Sequence, residues 1–299
     1  MWRKTIESFF FSNYFLGVLA ISLSVETCYQ LGLPLNSFAW YLLLFSAVTI
    51  YYTYAYLHAS TPAKYSNPRT EWYIYHHNTV LKSQMALGLL ATFSVIALTA
   101  ANFSRIALVP TIGWFFIGLA LLAAGSYYGK LSFLNLRQST LAKPLTIGFC
   151  WGVAVSIVPV MVLYLERGIQ QVPLLLTGWL FFKNWMFCSV NAILFDVKDY
   201  ADDSNQQLKT FVVKFGIRAT VTFIILPMIT HGALSFLLFA LYRDFSIYQI
   251  LINLIPFVLT YYLAISMTQR KRSILYYLIL IDGMLFVKAV CGILATKWI

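Results

Sequence analysis

Charge is what this chain has least of. Only 10% of its 299 residues are charged, and just ten are Asp or Glu. A water-soluble domain carries roughly 25% charged residues. Here 60% of the residues are hydrophobic, more than one aqueous core hides, so a soluble fold is excluded and a bilayer has to serve as solvent. Cysteine is sparse as well. Cys28, Cys150, Cys188 and Cys291 stand apart inside apolar runs with no CxxC spacing. That excludes a disulfide framework and a thiolate zinc site and leaves them as small buried hydrophobes. No polar linker separates the apolar segments, so one membrane domain covering 1–299 is expected. A small-residue cleavage site is also missing after Arg3 and Lys4, so the apolar stretch from Phe9 reads as a retained first span.

Long apolar runs are what the chain has in quantity. A helix needs about 20 such residues to cross the hydrocarbon core. Nine segments qualify: 9–32, 36–59, 81–101, 105–126, 143–165, 172–197, 217–241, 246–268 and 273–296. The expected fold is therefore all-α and polytopic, with nine transmembrane helices. Connections after the second, fourth and sixth spans are longer and polar; those after the first, third, fifth and seventh are short, with turn residues such as Gly32-Leu33-Pro34.

The net charge of +11 is distributed by topology. Fifteen Lys and Arg fall on the N-terminal side and four on the other, with Lys183 and Lys288 inside spans. The positive-inside rule places the N-terminus and the three long loops in the cytoplasm and the C-terminus outside. This accounts for the basic balance without nucleic acid as a partner. The expected location is a bacterial inner (plasma) membrane.

Four of the ten acids crowd into Asn191-Ala-Ile-Leu-Phe-Asp196-Val-Lys-Asp199-Tyr-Ala-Asp202-Asp203. Asp196, Asp199 and Asp203 are spaced by three and four, so they share one face if the sixth span continues as a helix. Such a cluster reads either as a solvated acidic helix end or as a divalent-cation site. Crowded carboxylates repel one another near a membrane, and their oxygens suit Mg²⁺, which takes one or two of them with phosphate and water.

The run Asp196-Val-Lys-Asp199-Tyr-Ala-Asp202-Asp203, followed by Lys209-Thr210-Phe-Val-Val-Lys-Phe-Gly216, resembles the second aspartate-rich motif of the UbiA superfamily of intramembrane prenyltransferases. That motif is approximately D-x-[RK]-D-x-x-x-D, with Thr seven residues on and then an apolar run ending in Gly, in the cytoplasmic loop after the sixth of nine spans. Tyr127-Tyr128-Gly-Lys130 and Leu141-Ala-Lys143-Pro144, leading to Trp151-Gly152, are similar to the family's loop before the fifth span. The resemblance implies nine helices around a lipid-accessible cavity. It also implies transfer of an isoprenyl group from a polyprenyl diphosphate to a lipophilic acceptor within the membrane lipid, assisted by Mg²⁺. Asp196, Asp199 and Asp203 would be the catalytic and metal-binding residues, and Arg69, Lys130, Lys143, Lys209 and Asn67 the diphosphate contacts.

One departure stands out. The family's first motif, of the type N-D-x-x-D-x-x-x-D after the second span, has no counterpart here. The stretch 52–72 holds no aspartate, and its first acid is Glu71. Arg69 is the best phosphate contact in that region, because a guanidinium fits phosphate oxygens bidentately; the other reading of Arg69 is a topology charge. His76 and His77 are adjacent, so on a helix they diverge by about 100° and make a poor metal pair. Inside the spans, Lys183 and Asp282 are expected to face the protein interior, with Asp282 as a packing hydrogen-bond acceptor; Lys288 is not expected to pair with it. The alternatives to catalysis are a prenyl-lipid-binding homologue without turnover and, in third place, a transporter.

Overall fold

The computed structural model describes residues 2–57, 68–127, 139–169, 171–205, 210–268 and 273–296; the side chains of 2, 3 and 201–205 lie outside that description. Every regular element within these residues is helical. In chain order they are α1 (Trp2–Phe11), α2 (Tyr14–Gln30), α3 (Phe38–Leu57), α4 (Pro68–Tyr75), α5 (His77–Ala101), a short 3₁₀ turn (Phe103–Leu108) and α6 (Thr111–Tyr127). Next come α7 (Ala142–Gly152), a π turn (Val153–Ile157), α8 (Val158–Arg167), α9 (Leu174–Asn205), α10 (Phe211–Phe215) and α11 (Ile217–Thr220). A second π turn (Val221–Ile225), α12 (Leu226–Tyr242), α13 (Ile247–Met267) and α14 (Ile274–Ala295) complete the chain.

Among the described residues, seven helical units are long and apolar enough to cross a membrane: α3, α5, α7–α8, α9 through Tyr200, α11–α12, α13 and α14. α1 and α2 add an eighth if they are counted as one span bent by 64°, and α6 is apolar but only 17 residues long. The segments expected at 9–32 and 105–126 are therefore the ones that do not form a straight full-length span.

The bend has a local cause. Asn13 sits in the left-handed region (φ 64°), which Asn tolerates better than most residues because its short polar side chain bonds locally. Its amide donates to Thr53 Oγ1 and to the Tyr73 hydroxyl, both at 3.1 Å. The Phe11 carbonyl at the end of α1 accepts from Arg69 Nε (3.2 Å), Arg69 Nη2 (3.0 Å) and the Tyr73 hydroxyl (2.8 Å). A cation on the last carbonyls of a helix satisfies them and matches its dipole. The polar connection expected after the second span thus contains a helix, α4, whose Arg69 and Tyr73 clamp this corner.

Each π turn immediately precedes a proline helix start. Pro159 cannot donate to Val155 and its ring crowds that carbonyl. The Val155 oxygen instead accepts from Thr27 Oγ1 at 2.7 Å. α7 and α8 stay one span because α2 takes up the bond that proline removes.

α9 is the central helix: 78% of its span window is buried, against 22% for α5 and for α11–α12. α7 lies close against it. A Cβ on Gly148 would stand 2.1 Å from Ser189 Oγ and 2.6 Å from the Trp185 carbonyl, so only glycine permits this backbone approach.

Both Lys183 and Asp282 are buried in the interior, as expected. Lys288 is buried too, and its partner is Glu26 of α2, which the sequence reading passes over. The Lys288 ammonium lies 2.6 Å from Glu26 Oε2 and also donates to Asn184. Lys183 Nζ is 4.0 Å from Glu26 Oε1 and donates to Asn253 Oδ1 at 3.1 Å. Gln30 donates to the same carboxylate at 2.9 Å and Asn184 donates to Ser156 at 2.8 Å. The network pins α2, α9, α13, α14 and the first π turn together. The signal was an acid in one apolar run and two lysines in others, a pairing that removes the cost of each charge.

Candidate functional site

A cavity of about 630 Å³ lies between α2, α3, α4, α6, α7, α9 and α14. That is within the usual range for a small-molecule site. Its walls are mostly apolar and rich in aromatic faces, among them Trp40, Tyr51, Tyr52, Trp151 and Phe195. Trp151 Nε1 donates to the Tyr52 hydroxyl at 2.6 Å, so two of these rings are held by each other. The charged lining gathers at the end of the bundle where α4 sits: Arg69, Lys143, Asp196, Lys198 and Asp199.

α9 continues as a helix to Asn205, which meets the condition for the predicted acidic face. Asp196 and Asp199 both line the cavity. Asp196 is buried and accepts from the Lys143 ammonium of α7, a pair that bridges two cavity walls. Asp199 is paired with its neighbour Lys198, whose ammonium also lies 5.9 Å from the Phe195 ring centre. Asp203 is on the helical backbone two turns beyond Asp196, and its side chain lies outside the described residues. Asn67, Lys130 and Lys209 also lie outside them.

Arg69 is on the cavity wall and only 7% exposed. Besides the Phe11 carbonyl, its guanidinium donates to Asn13 Oδ1 (2.5 Å) and the Tyr56 hydroxyl (3.2 Å) and stands 4.4 Å from the centre of the Tyr56 ring. It is thus a built-in part of the wall, held in a fixed orientation. Burial pushes the adjacent Tyr73 phenol up from its ordinary value, with the Arg69 charge pulling the other way.

Asp282 of α14 lines the same cavity and is 4% exposed. Its Oδ1 accepts from Asn191 Nδ2 at 3.1 Å, which is the packing bond expected of it. The cavity lining adds a second aspect, because the carboxylate also borders open volume.

Two motif residues have structural work. Thr210 caps α10 by accepting from the Val213 amide at 3.3 Å. Gly216 ends α10 with φ +81°, a backbone conformation that favours glycine. His76 is exposed, stacks on Trp72 and shares a 2.9 Å contact with the Trp72 carbonyl through Nδ1. Among the described residues no group of three or more His, Cys, Asp or Glu is placed to hold a metal ion.

Sequence reasoning missed Lys198, Asn191, Asn13 and Tyr56 as cavity residues. Lys198 adjoins Asp199 in the chain and Asn191 is a polar residue in an apolar run, but neither lies at three- or four-residue spacing from Asp196 or Asp199. Asn13 and Tyr56 join the site only through Arg69, and no spacing encodes that. No family model matches this chain, and no curated protein or solved structure matches it either.

Proposed function

We propose that this chain is a nine-span prenyltransferase of the UbiA type, with its N-terminus and charged cavity end facing the cytoplasm of a bacterial cell. In this reading an isoprenyl group moves from a polyprenyl diphosphate to a lipophilic acceptor. The observation that carries it is one chamber with aromatic, apolar walls whose charged end holds Asp196 and Asp199 beside Arg69, Lys143 and Lys198.

The residues at that end fit Mg²⁺. Asp196 and Asp199 both line the same space, and one or two carboxylates with phosphate and water suffice. In this reading Asp203 is the third member of the set. The bound ion supplies charge neutralisation at the diphosphate. Lys143 and Lys198, each already held by a carboxylate, stand where the leaving group gathers charge as its C–O bond breaks. Arg69, fixed by the α1–α2 corner, orients the head group. Tyr52, Trp151 and Phe195 offer ring faces to the allylic cation, and the apolar walls keep water from it.

The test is transfer from radiolabelled geranylgeranyl diphosphate by the purified full chain in nanodiscs made with a bacterial lipid extract as the source of acceptor, with and without Mg²⁺. Metal-dependent release of diphosphate is expected, reduced at least about 100-fold by Asp199→Asn. Unchanged turnover in that variant refutes the assignment. The second reading, binding without turnover, is favoured by the absence of aspartate from 52–72. Its signature is saturable retention of the intact diphosphate with no product.

A further inference from the structure

The charged end of the chamber accounts for one substrate. The carboxylate deeper inside points to the other. Along α9, Asn191 lies five residues before Asp196, about 7 Å further from that end at 1.5 Å per residue. Asp282 hangs from Asn191 at that depth. The lining residues one turn before and after it on α14, Leu278 and Leu285, are apolar.

Asp282 differs from the other two cavity aspartates in its company. Lys143 stands on Asp196 and Lys198 on Asp199. Among the described residues no lysine, arginine or histidine nitrogen comes within 4.0 Å of Asp282. One amide donor reaches Oδ1, whereas an ionised carboxylate has about four lone-pair sites. The rest of the Asp282 carboxyl borders a chamber large enough to admit a donor.

The geometry points to Asp282, oriented by Asn191, as the receptor for the hydroxyl group of a neutral lipophilic ligand. On the prenyltransferase reading, on which this rests, that ligand is the acceptor: an alcohol or phenol whose O–H donates to Asp282 while its apolar body lies against Leu278 and Leu285. A neutral donor fits better than an ammonium. A cation would have to enter past Arg69, Lys143 and Lys198, whose charges would repel it. The chamber would then receive its two ligands at two depths, an anionic head among the cations and a hydroxyl on the lone carboxylate.

Direct binding tests this without any need for turnover. Wild-type protein in nanodiscs is titrated calorimetrically with 4-octylphenol, 1-dodecanol and the methyl ether of each, and with 1-dodecylamine. At least one hydroxyl probe is expected to bind about tenfold tighter than its ether, and Asp282→Leu is expected to abolish that preference. The alcohol or the phenol showing the preference identifies which hydroxyl is taken. Equal binding of both hydroxyl probes and their ethers by the wild type overturns the proposal even if the Leu variant does not fold. Tighter binding of the amine than of either hydroxyl probe overturns the neutral-donor assignment. Binding of geranylgeranyl diphosphate, followed in the same samples, separates the two readings. Its loss with the hydroxyl preference intact sinks the transferase and spares the receptor, and the reverse pattern does the opposite.

Discussion

Two groups of ionisable side chains lie inside this bundle, supplied in part by the same helices and built to opposite ends. α9 and α14 serve both: with α2 they give Glu26, Lys183 and Lys288 to one, and by themselves Asp196, Asp199 and Asp282 to the other. Around Glu26 the charges face each other with no room between them: Glu26 and Lys288 are each 1% exposed and Lys183 5%. Around Asp196 the same residue types border a 630 Å³ space. The difference teaches that a lysine–carboxylate pair on an apolar helix is scaffold where packing closes over it and candidate chemistry where packing stops short.

Substitutions should split the two groups cleanly. The largest effect is expected from Glu26→Ala, which leaves two buried ammonium groups without their carboxylate and should lower stability by about 3–5 kcal/mol, measured by thermal unfolding in nanodiscs. Adding Lys288→Met should recover part of that loss. Asp196→Asn should do the reverse, lowering diphosphate release at least about 100-fold, roughly 2.7 kcal/mol at the barrier, with a far smaller change in the melting curve than Glu26→Ala. If Asp196→Asn unfolds the protein as readily as Glu26→Ala does, the contrast between the groups is lost. Gly292→Ala comes next. Its Cβ would meet Glu26 Oε1 at 2.3 Å, so about 1–3 kcal/mol of overpacking is expected, read in the same unfolding assay. The smallest effect belongs to Arg69→Lys, which keeps the charge but loses the fork that spans Phe11 and Asn13. About 1 kcal/mol is expected, and trypsin digestion should find the segment before Asn13 more readily cut.

Much of this was legible in the chain. Apolar runs of about 20 residues located the helices because a bilayer leaves the backbone few other options. The three-and-four spacing of Asp196, Asp199 and Asp203 placed them on one helical stretch, and burial of Lys183 and Asp282 followed from the cost of facing lipid. Pairings between distant segments were not legible. Lys288 finds Glu26 across 262 positions and Arg69 finds Phe11 across 58, and helical periodicity carries no information at that range. The left-handed Asn13 that ends α1 is likewise set by partners on α3 and α4, so the first span read as one straight run.

The wide turn before Pro159 acts as a one-residue shim. Removing a single residue from the regular turns of α8, where no wide turn takes up the change, would swing everything upstream by about 100° around the helix axis. Lys143 would rotate off Asp196, Gly148 would leave its niche against Ser189, and Trp151 would let go of Tyr52. The chamber's outline therefore hangs on helical phase, and a deletion too short to alter the span's length would still take the wall apart.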